Sequence, residues 1–224
     1  MWMLPLILLA CSGATPTEAE APEPTAQTAE PPGESATLPR NHVPPRPQHT
    51  PTDPELGDVF GAVVAKDGDK ALALLEPLLA SKPDSAEVNY FQGRALIMKQ
   101  QFEEALPFLD KAISTDPTLA QAHKERAGAL LSVRKIDDAV TSIDAYIKLV
   151  DDDAEAFYMR SFLHKYRGEL EPAKVDALRA CELEFEKACR VVGNLDYLIN
   201  KRDKARAEAE AEAEAGAQGE AAHP

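Results

Sequence analysis

Residues 86–119 read AEVNYFQGRALIMKQQFEEALPFLDKAISTDPTL, and the next two segments of 34 residues, 120–153 and 154–187, align with them without a gap. Position 20 of each segment is alanine, and positions 17 and 24 are apolar throughout. The alanines are Ala105, Ala139 and Ala173, and the residues at position 17 are Phe102, Ile136 and Leu170. Small and apolar residues that return every 34 positions predict a stack of similar helical units.

This period resembles the tetratricopeptide repeat, a hairpin of two helices that stacks on its neighbours. Gly93 is small at position 8, where the resemblance implies that the two helices of a hairpin touch. Asp116-Pro117 ends the second helix, because proline blocks its continuation. The resemblance therefore implies an all-α solenoid of about four repeats. They cover residues 52–85, 86–119, 120–153 and 154–187.

The first of these units is the weakest match, because it has Gly57 and Gly61 in its first helix and Pro77 within its second. Glycine and proline both lower helix stability, so this unit is expected to be the least regular. After the last unit, apolar residues recur on one helical face from Val191 to Ile199. They predict a helix over 188–206 that caps the stack.

Residues 207–224 are rich in alanine and glutamate. Both are strong helix formers, so this tail is expected to project as a helix that frays to disorder.

The chain begins with ten residues, 1–10, that are nearly all apolar, about half of what a membrane-spanning helix needs. Leu8-Leu9-Ala10-Cys11 resembles the lipobox of bacterial lipoproteins. The resemblance implies a signal peptide that is cleaved before Cys11 and lipid attached to that cysteine. It further implies anchoring at the bacterial cell envelope, at an outer membrane and facing the periplasm. The alternative is a cytosolic adaptor or co-chaperone with no lipid anchor.

Residues 11–51 hold ten of the chain's eighteen prolines and no aromatic residue. Such a segment buries too little apolar surface to offset its loss of conformational entropy on ordering. It is therefore predicted to be a disordered, semi-rigid linker between the anchor and the repeats.

The composition disfavours nucleic acid and anionic lipid as partners, and the sequence lacks the common catalytic and metal-binding motifs. The net charge of −14 disfavours nucleic acid and anionic lipid as partners, so membrane contact is expected through the N-terminal lipid alone. The sequence contains no phosphate-binding glycine loop, no nucleophile elbow and no metal-spaced cysteine pair. We therefore expect a non-enzymatic scaffold without cofactor, metal or small-molecule substrate. Its expected ligand is a protein or peptide, and an envelope complex is one candidate for what it helps to assemble.

In the tetratricopeptide family, the first helices line a concave groove through positions 2, 5, 6, 9, 12 and 13. The residues at these positions are aromatic and methionine-rich with scattered basic residues, which suits an apolar or amphipathic peptide. The alternative is that some of them belong to the core, Phe91 and Ile97 first. The predicted groove residues are Tyr90, Arg94, Lys124, Tyr158, Phe162 and Tyr166.

Cys181 and Cys189 are eight residues apart. On one continuous helix they would be about 12 Å apart, too far for a disulfide. A turn near residues 184–186, which the repeat frame implies, would let the pair close. Two separately buried thiols are the alternative.

Overall fold

The computed structural model describes residues 49–221, and their side chains as far as residue 214. This part of the chain forms a short 3-10 turn, Pro54–Leu56, and nine α-helices, without any strand. The helices are α1 (Gly57–Val64), α2 (Gly68–Ser81), α3 (Ala86–Met98), α4 (Phe102–Thr115), α5 (Ala120–Ser132), α6 (Ile136–Leu149), α7 (Ala154–Tyr166), α8 (Leu170–Glu182) and α9 (Glu186–Ala221). The predicted all-α solenoid is confirmed. The signal peptide, Cys11 and the linker up to residue 48 lie outside the described residues.

The helices pack in the order that the repeat implies. Each odd-numbered helix from α1 to α7 pairs with the helix that follows it, and each even-numbered helix packs against the next unit. Helices α3, α5 and α7 begin at Ala86, Ala120 and Ala154, the first position of each 34-residue segment. The irregular first unit has a helix α1 of eight residues, whereas Pro77 lies inside α2 without ending it.

The turn inside each hairpin has the same backbone geometry. Lys66, Gln100, Arg134 and Gly168 are spaced by 34 residues and all have positive φ, between 58° and 77°. Only the last of them is glycine, the residue that adopts this conformation without steric cost. The register of the repeat thus fixes the turn even where the side chain opposes it.

Small residues set the distance between the helices of a hairpin. A Cβ atom added to Gly93 would lie 2.7 Å from Leu109 Cγ and 3.3 Å from the backbone oxygen of Ala105. Leu109 and Ala105 are fully buried, so neither faces open space. Helices α3 and α4 therefore touch at Gly93, as the resemblance implied.

Two arginines, Arg126 and Arg160, clamp neighbouring units from position 7 of their segments. Arg160 donates two hydrogen bonds to Asp176 in its own unit, at 2.8 and 2.7 Å, and one to Asp144 in the preceding unit, at 2.7 Å. Arg126 likewise contacts Asp110 in the preceding unit and Ser142 in its own, each at 2.5 Å. These forks connect three helices apiece and hold the stack in register.

Helix α9 caps the stack and continues beyond it. Its Ala188 and Leu195 are fully buried, and Lys174 of α8 pairs with Asp196 at 2.5 Å. From residue 201 to 214 every side chain is exposed. The predicted cap, 188–206, and the tail that was expected to project from it as a helix form one continuous helix, which runs to Ala221. Helix-forming alanines and the Arg206–Glu210 pair, at 2.7 Å, favour this continuation without tertiary contacts.

A disulfide joins the last turn of α8 to the start of α9. Cys181 and Cys189 have Cα atoms 4.8 Å apart, since the chain turns between Glu182 and Glu186. The bond ties the cap to the last unit. No helix within residues 49–221 combines the length and the apolar character needed to cross a bilayer.

Candidate peptide-binding face

Helices α3, α5 and α7 present positions 2, 5, 6, 9, 12 and 13 of their segments on one side of the stack, which we call the groove face. The six predicted groove residues lie on it in three settings. One is in the core, three are partly buried in contacts within the domain, and two are exposed.

The prediction that Tyr90 contacts a ligand in the groove is wrong, because its side chain has no exposed surface. The centroid of its ring lies 5.0 Å from that of Phe91. Phe91 is also fully buried, in line with the alternative that some groove positions belong to the core. His49 covers the pair from outside, with its ring centroid 5.6 Å from that of Tyr90. Burial raises the pKa of the Tyr90 hydroxyl above its usual value, and the residue cannot contact a ligand in this conformation.

The segment that holds His49 in place is residues 49–53, where the chain enters the first unit. Glu87, at position 2 of α3, accepts hydrogen bonds from the Thr52 backbone nitrogen and hydroxyl, at 2.8 and 3.0 Å, and from the Asp53 nitrogen at 3.1 Å. It also contacts His49 Nε2 at 3.0 Å. Burial alone would raise the pKa of Glu87, but these hydrogen bonds outweigh it and hold the pKa below its usual range. The first turns of α3 are therefore closed by the chain itself.

Beyond this segment, a pocket of about 370 Å³ opens on the groove face. It is lined by Val63, Lys66, Arg94, Ile97, Met98 and Glu125. The predicted residue Arg94 lies at its inner end, where its guanidinium donates to the Tyr90 hydroxyl at 2.7 Å. The pocket thus joins an apolar wall from α1 and α3 to charged groups from α3 and α5.

Glu125 is the unusual member of this pocket. Arg94 is the one cation within 4 Å of its carboxylate among the described residues, at 3.7 Å, and none of those residues donates a hydrogen bond to it. Burial raises the pKa of Glu125, and the opposing charges of Arg94 and Lys124 do not offset this effect. The side chain is 27% exposed, so solvent reaches this carboxylate, but the ionised form has little compensation from the described residues.

Lys124 forms ion pairs that connect its own unit to the next one. Its ammonium group contacts Asp153 at 3.0 Å and Glu155 at 2.7 Å, at the start of α7. The buried Tyr146 hydroxyl donates to the same Asp153 at 2.6 Å. Burial alone would lower the pKa of Lys124, but the two carboxylates outweigh it and raise the pKa. This predicted groove residue links α5 to α7 and is committed to those contacts.

Aromatic residues of α7 line the other end of the groove face. Tyr158 is half-buried and packs on Phe185, with ring centroids 5.1 Å apart. Phe162 and Tyr166 form an edge-to-face pair with centroids 4.8 Å apart, and they are 40% and 61% exposed. Of the six predicted residues, these two offer the most surface to a ligand.

Gly128 lies on α5, at the same repeat position as Arg94 and Phe162. A Cβ atom added there would meet nothing within 4 Å, and its backbone does not have positive φ. Neither packing nor conformation explains this glycine. It leaves an open floor between the pocket and the aromatic pair.

The first unit also contributes to the pocket, which was not predicted from the sequence. Val63 is at position 12 of residues 52–85, one of the groove positions, so the repeat frame could have found it. Nothing in the sequence indicated Lys66 or the closure by residues 49–53. Within the described residues no group of three or more His, Cys, Asp or Glu is placed to hold a metal ion.

Comparison with known proteins shows the same fold. A family model described as Tetratricopeptide repeat matches residues 62–124. A crystal structure of MamA is 20% identical with a TM-score of 0.60, covering 66% of this chain and 87% of that one. MamA 41-end from Desulfovibrio magneticus RS-1 is 18% identical with a TM-score of 0.60, covering 76% and 96%.

YrrB, described as a TPR protein with an unusual peptide-binding site, is 21% identical with a TM-score of 0.56, covering 61% and 72%. No curated protein matches the chain in sequence. At these identities the similarity shows the tetratricopeptide solenoid, and the chain's binding properties must be argued from its own residues.

Proposed function

We propose that this protein is an adaptor that binds a segment of a partner protein on its groove face and acts by binding, not by catalysis. The observation that carries the proposal is the Phe162–Tyr166 pair, which stays exposed beside the open floor at Gly128. Exposed aromatic residues on a face that also carries a pocket are typical of protein-binding surfaces. The peptide-binding site in the description of YrrB, a protein of the same fold, supports the same use.

Site-specific photo-crosslinking tests this proposal. A photoreactive phenylalanine analogue at Tyr166 should give covalent adducts with a partner in the native host. The matched control is the same analogue at Tyr197 on α9, which is 64% exposed, close to the 61% of Tyr166, but lies off the groove face. The proposal fails if both positions give the same adducts, or if only position 197 gives one.

We also propose that the adaptor is lipid-anchored through Cys11 at the bacterial cell envelope, on the periplasmic side of an outer membrane, where it helps to assemble an envelope complex. The support is Leu8-Leu9-Ala10-Cys11 together with the proline-rich residues 11–51, which would hold the repeats away from a bilayer. The disulfide of Cys181 and Cys189 fits an oxidising compartment.

Intact mass of the membrane-extracted protein tests the anchor. A chain that begins at residue 11 with added acyl mass, and loses that mass in Cys11→Ser, is the expected result. A soluble, full-length and unmodified chain would instead support the alternative, a cytosolic adaptor without an anchor. The crosslinking experiment is informative in either case, since it does not depend on where the protein resides.

A further inference from the structure

We propose that Glu125 receives a lysine or arginine side chain of the partner segment, whose neighbouring apolar residues rest on the pocket wall and on the Phe162–Tyr166 pair. This inference rests on the proposed function and deepens it, because it names the chemistry of the bound segment. The ligand is a basic and apolar segment of another protein.

The Glu125 carboxylate is partly exposed and has room for a further hydrogen-bond donor. Its nearest cation, Arg94, is at 3.7 Å, beyond hydrogen-bonding distance, and donates to the Tyr90 hydroxyl instead. The adjacent Lys124 is committed to Asp153 and Glu155. Both neighbouring cations thus direct their hydrogen bonds elsewhere, and the carboxylate faces the pocket with its acceptors unused by the described residues.

The net charge of the repeats, though not that of the pocket lining, favours a cationic guest. Residues 52–200 contain 18 Lys and Arg against 27 Asp and Glu, a net charge of −9 that attracts basic segments over distance. Close to Glu125 the cations Arg94, Lys66 and Lys124 outnumber Glu155. Within the pocket the attraction therefore comes from the Glu125 carboxylate itself, since the Tyr90 hydroxyl is protonated near neutral pH and adds no further anion. A charge-assisted hydrogen bond from the guest would satisfy the carboxylate, which burial otherwise disfavours in its charged form.

The residues around Glu125 indicate which side chains stand next to the basic residue in the bound segment. Val63, Ile97 and Met98 form an apolar wall in the same pocket. One helical turn further along α5, Gly128 leaves room for a side chain to approach the backbone. Because residues 49–53 close the first turns of α3, the guest is confined to the C-terminal half of that helix, α5 and α7.

Selection of random decapeptides displayed on phage, with the full-length protein as bait, tests the inference. We expect the selected peptides to carry Lys or Arg next to apolar residues. With Glu125→Lys as bait, the basic residue should be replaced by Asp or Glu. The matched control is Glu103→Lys, the same charge change at an exposed position on α4, outside the groove face, which should leave the selection unchanged.

A mutant cycle on one selected peptide then isolates the contact. Glu125→Gln and replacement of the peptide's basic residue by glutamine should each weaken binding about tenfold, and the double change no more than either one. Selected peptides that lose binding in Phe162→Ala but carry no basic residue, or ignore Glu125→Lys, would overturn the inference and leave the proposed function standing.

Two further outcomes are distinct. Peptides whose binding is insensitive to both Phe162→Ala and Glu125→Lys would contradict the proposed function itself. The sequence has an arginine, Arg46, three residues before His49. Basic peptides that are selected only with Arg46→Ala as bait would mean that this arginine of the chain itself competes for Glu125, which would overturn the assignment to a partner.

Discussion

A pair of glycine-to-alanine substitutions measures how closely the helices of a hairpin approach one another. Gly93→Ala and Gly128→Ala are the same chemical change in the same kind of helix, at positions 8 and 9 of adjacent units. Each gains about 1 kcal/mol from the higher helix propensity of alanine. They differ in what the new methyl group meets.

At Gly93 the added Cβ would lie 2.7 and 2.9 Å from two atoms of Leu109, which is fully buried. Real Cβ contacts are not this short, so Leu109 must move within a packed interior, at a cost of about 1–3 kcal/mol. At Gly128 nothing lies within 4 Å. We therefore expect Gly128→Ala to be more stable than the parent by about 1 kcal/mol, and Gly93→Ala to be less stable than Gly128→Ala by about 1–3 kcal/mol.

Urea unfolding followed by circular dichroism measures both free energies of unfolding. If the two variants were stabilised equally, helices α3 and α4 could not be in contact at Gly93 and the packing argument would be refuted. Leu109→Ala provides a second check, because it makes room for the methyl group. Gly93→Ala should be less damaging in that background than in the parent.

Three further predictions concern the ion pairs, pH dependence and the disulfide. Arg160→Ala should lower the free energy of unfolding by about 3 kcal/mol, because the buried Asp176 loses both hydrogen bonds from the guanidinium and keeps only His164 Nε2, at 3.7 Å. Arg190→Ala, in an exposed pair with Glu186, should change nothing measurable in the same urea titration. Glu125→Gln should raise the melting temperature at pH 7. Since the folded-state pKa of Glu125 is raised, its charge destabilises the fold above that pKa, and the gain should vanish below the unfolded value of about 4.3; an equal gain at pH 3 would contradict this. Reduction of the disulfide should cost about 2.5 kcal/mol for its separation of eight residues and speed hydrogen exchange in α9 first, whereas Cys181→Ser/Cys189→Ser protein should not respond to reductant.

The regular part of the fold could be predicted because each unit repeats the same local requirements. Alanine at position 20 and the start of α3, α5 and α7 at position 1 recur every 34 residues, so one well-matched unit fixes the others. The continuation of α9 beyond the cap could be predicted from the helix propensity of Ala and Glu, but not the residue where the helix ends, because alternating Ala and Glu carry no burial pattern that marks it.

The groove face was predicted only in part. Its repeat positions indicate which side chains lie on that face, but not which of them are buried by other parts of the chain. Phe162 and Tyr166 are exposed there, whereas Tyr90 is buried under His49. That closure comes from residues 49–53, at the entry to the first unit, through hydrogen bonds to Glu87 that no periodicity encodes.

The sequence by itself determined the helical hairpins and their register, since periodic small and apolar residues are a local property of the chain. It also determined which residues share the groove face. Only the tertiary structure decided which of those residues are accessible and which charges are left without a hydrogen bond, as at Glu125. Burial and electrostatic compensation depend on what several elements bring to one place, and no single stretch of sequence contains that information.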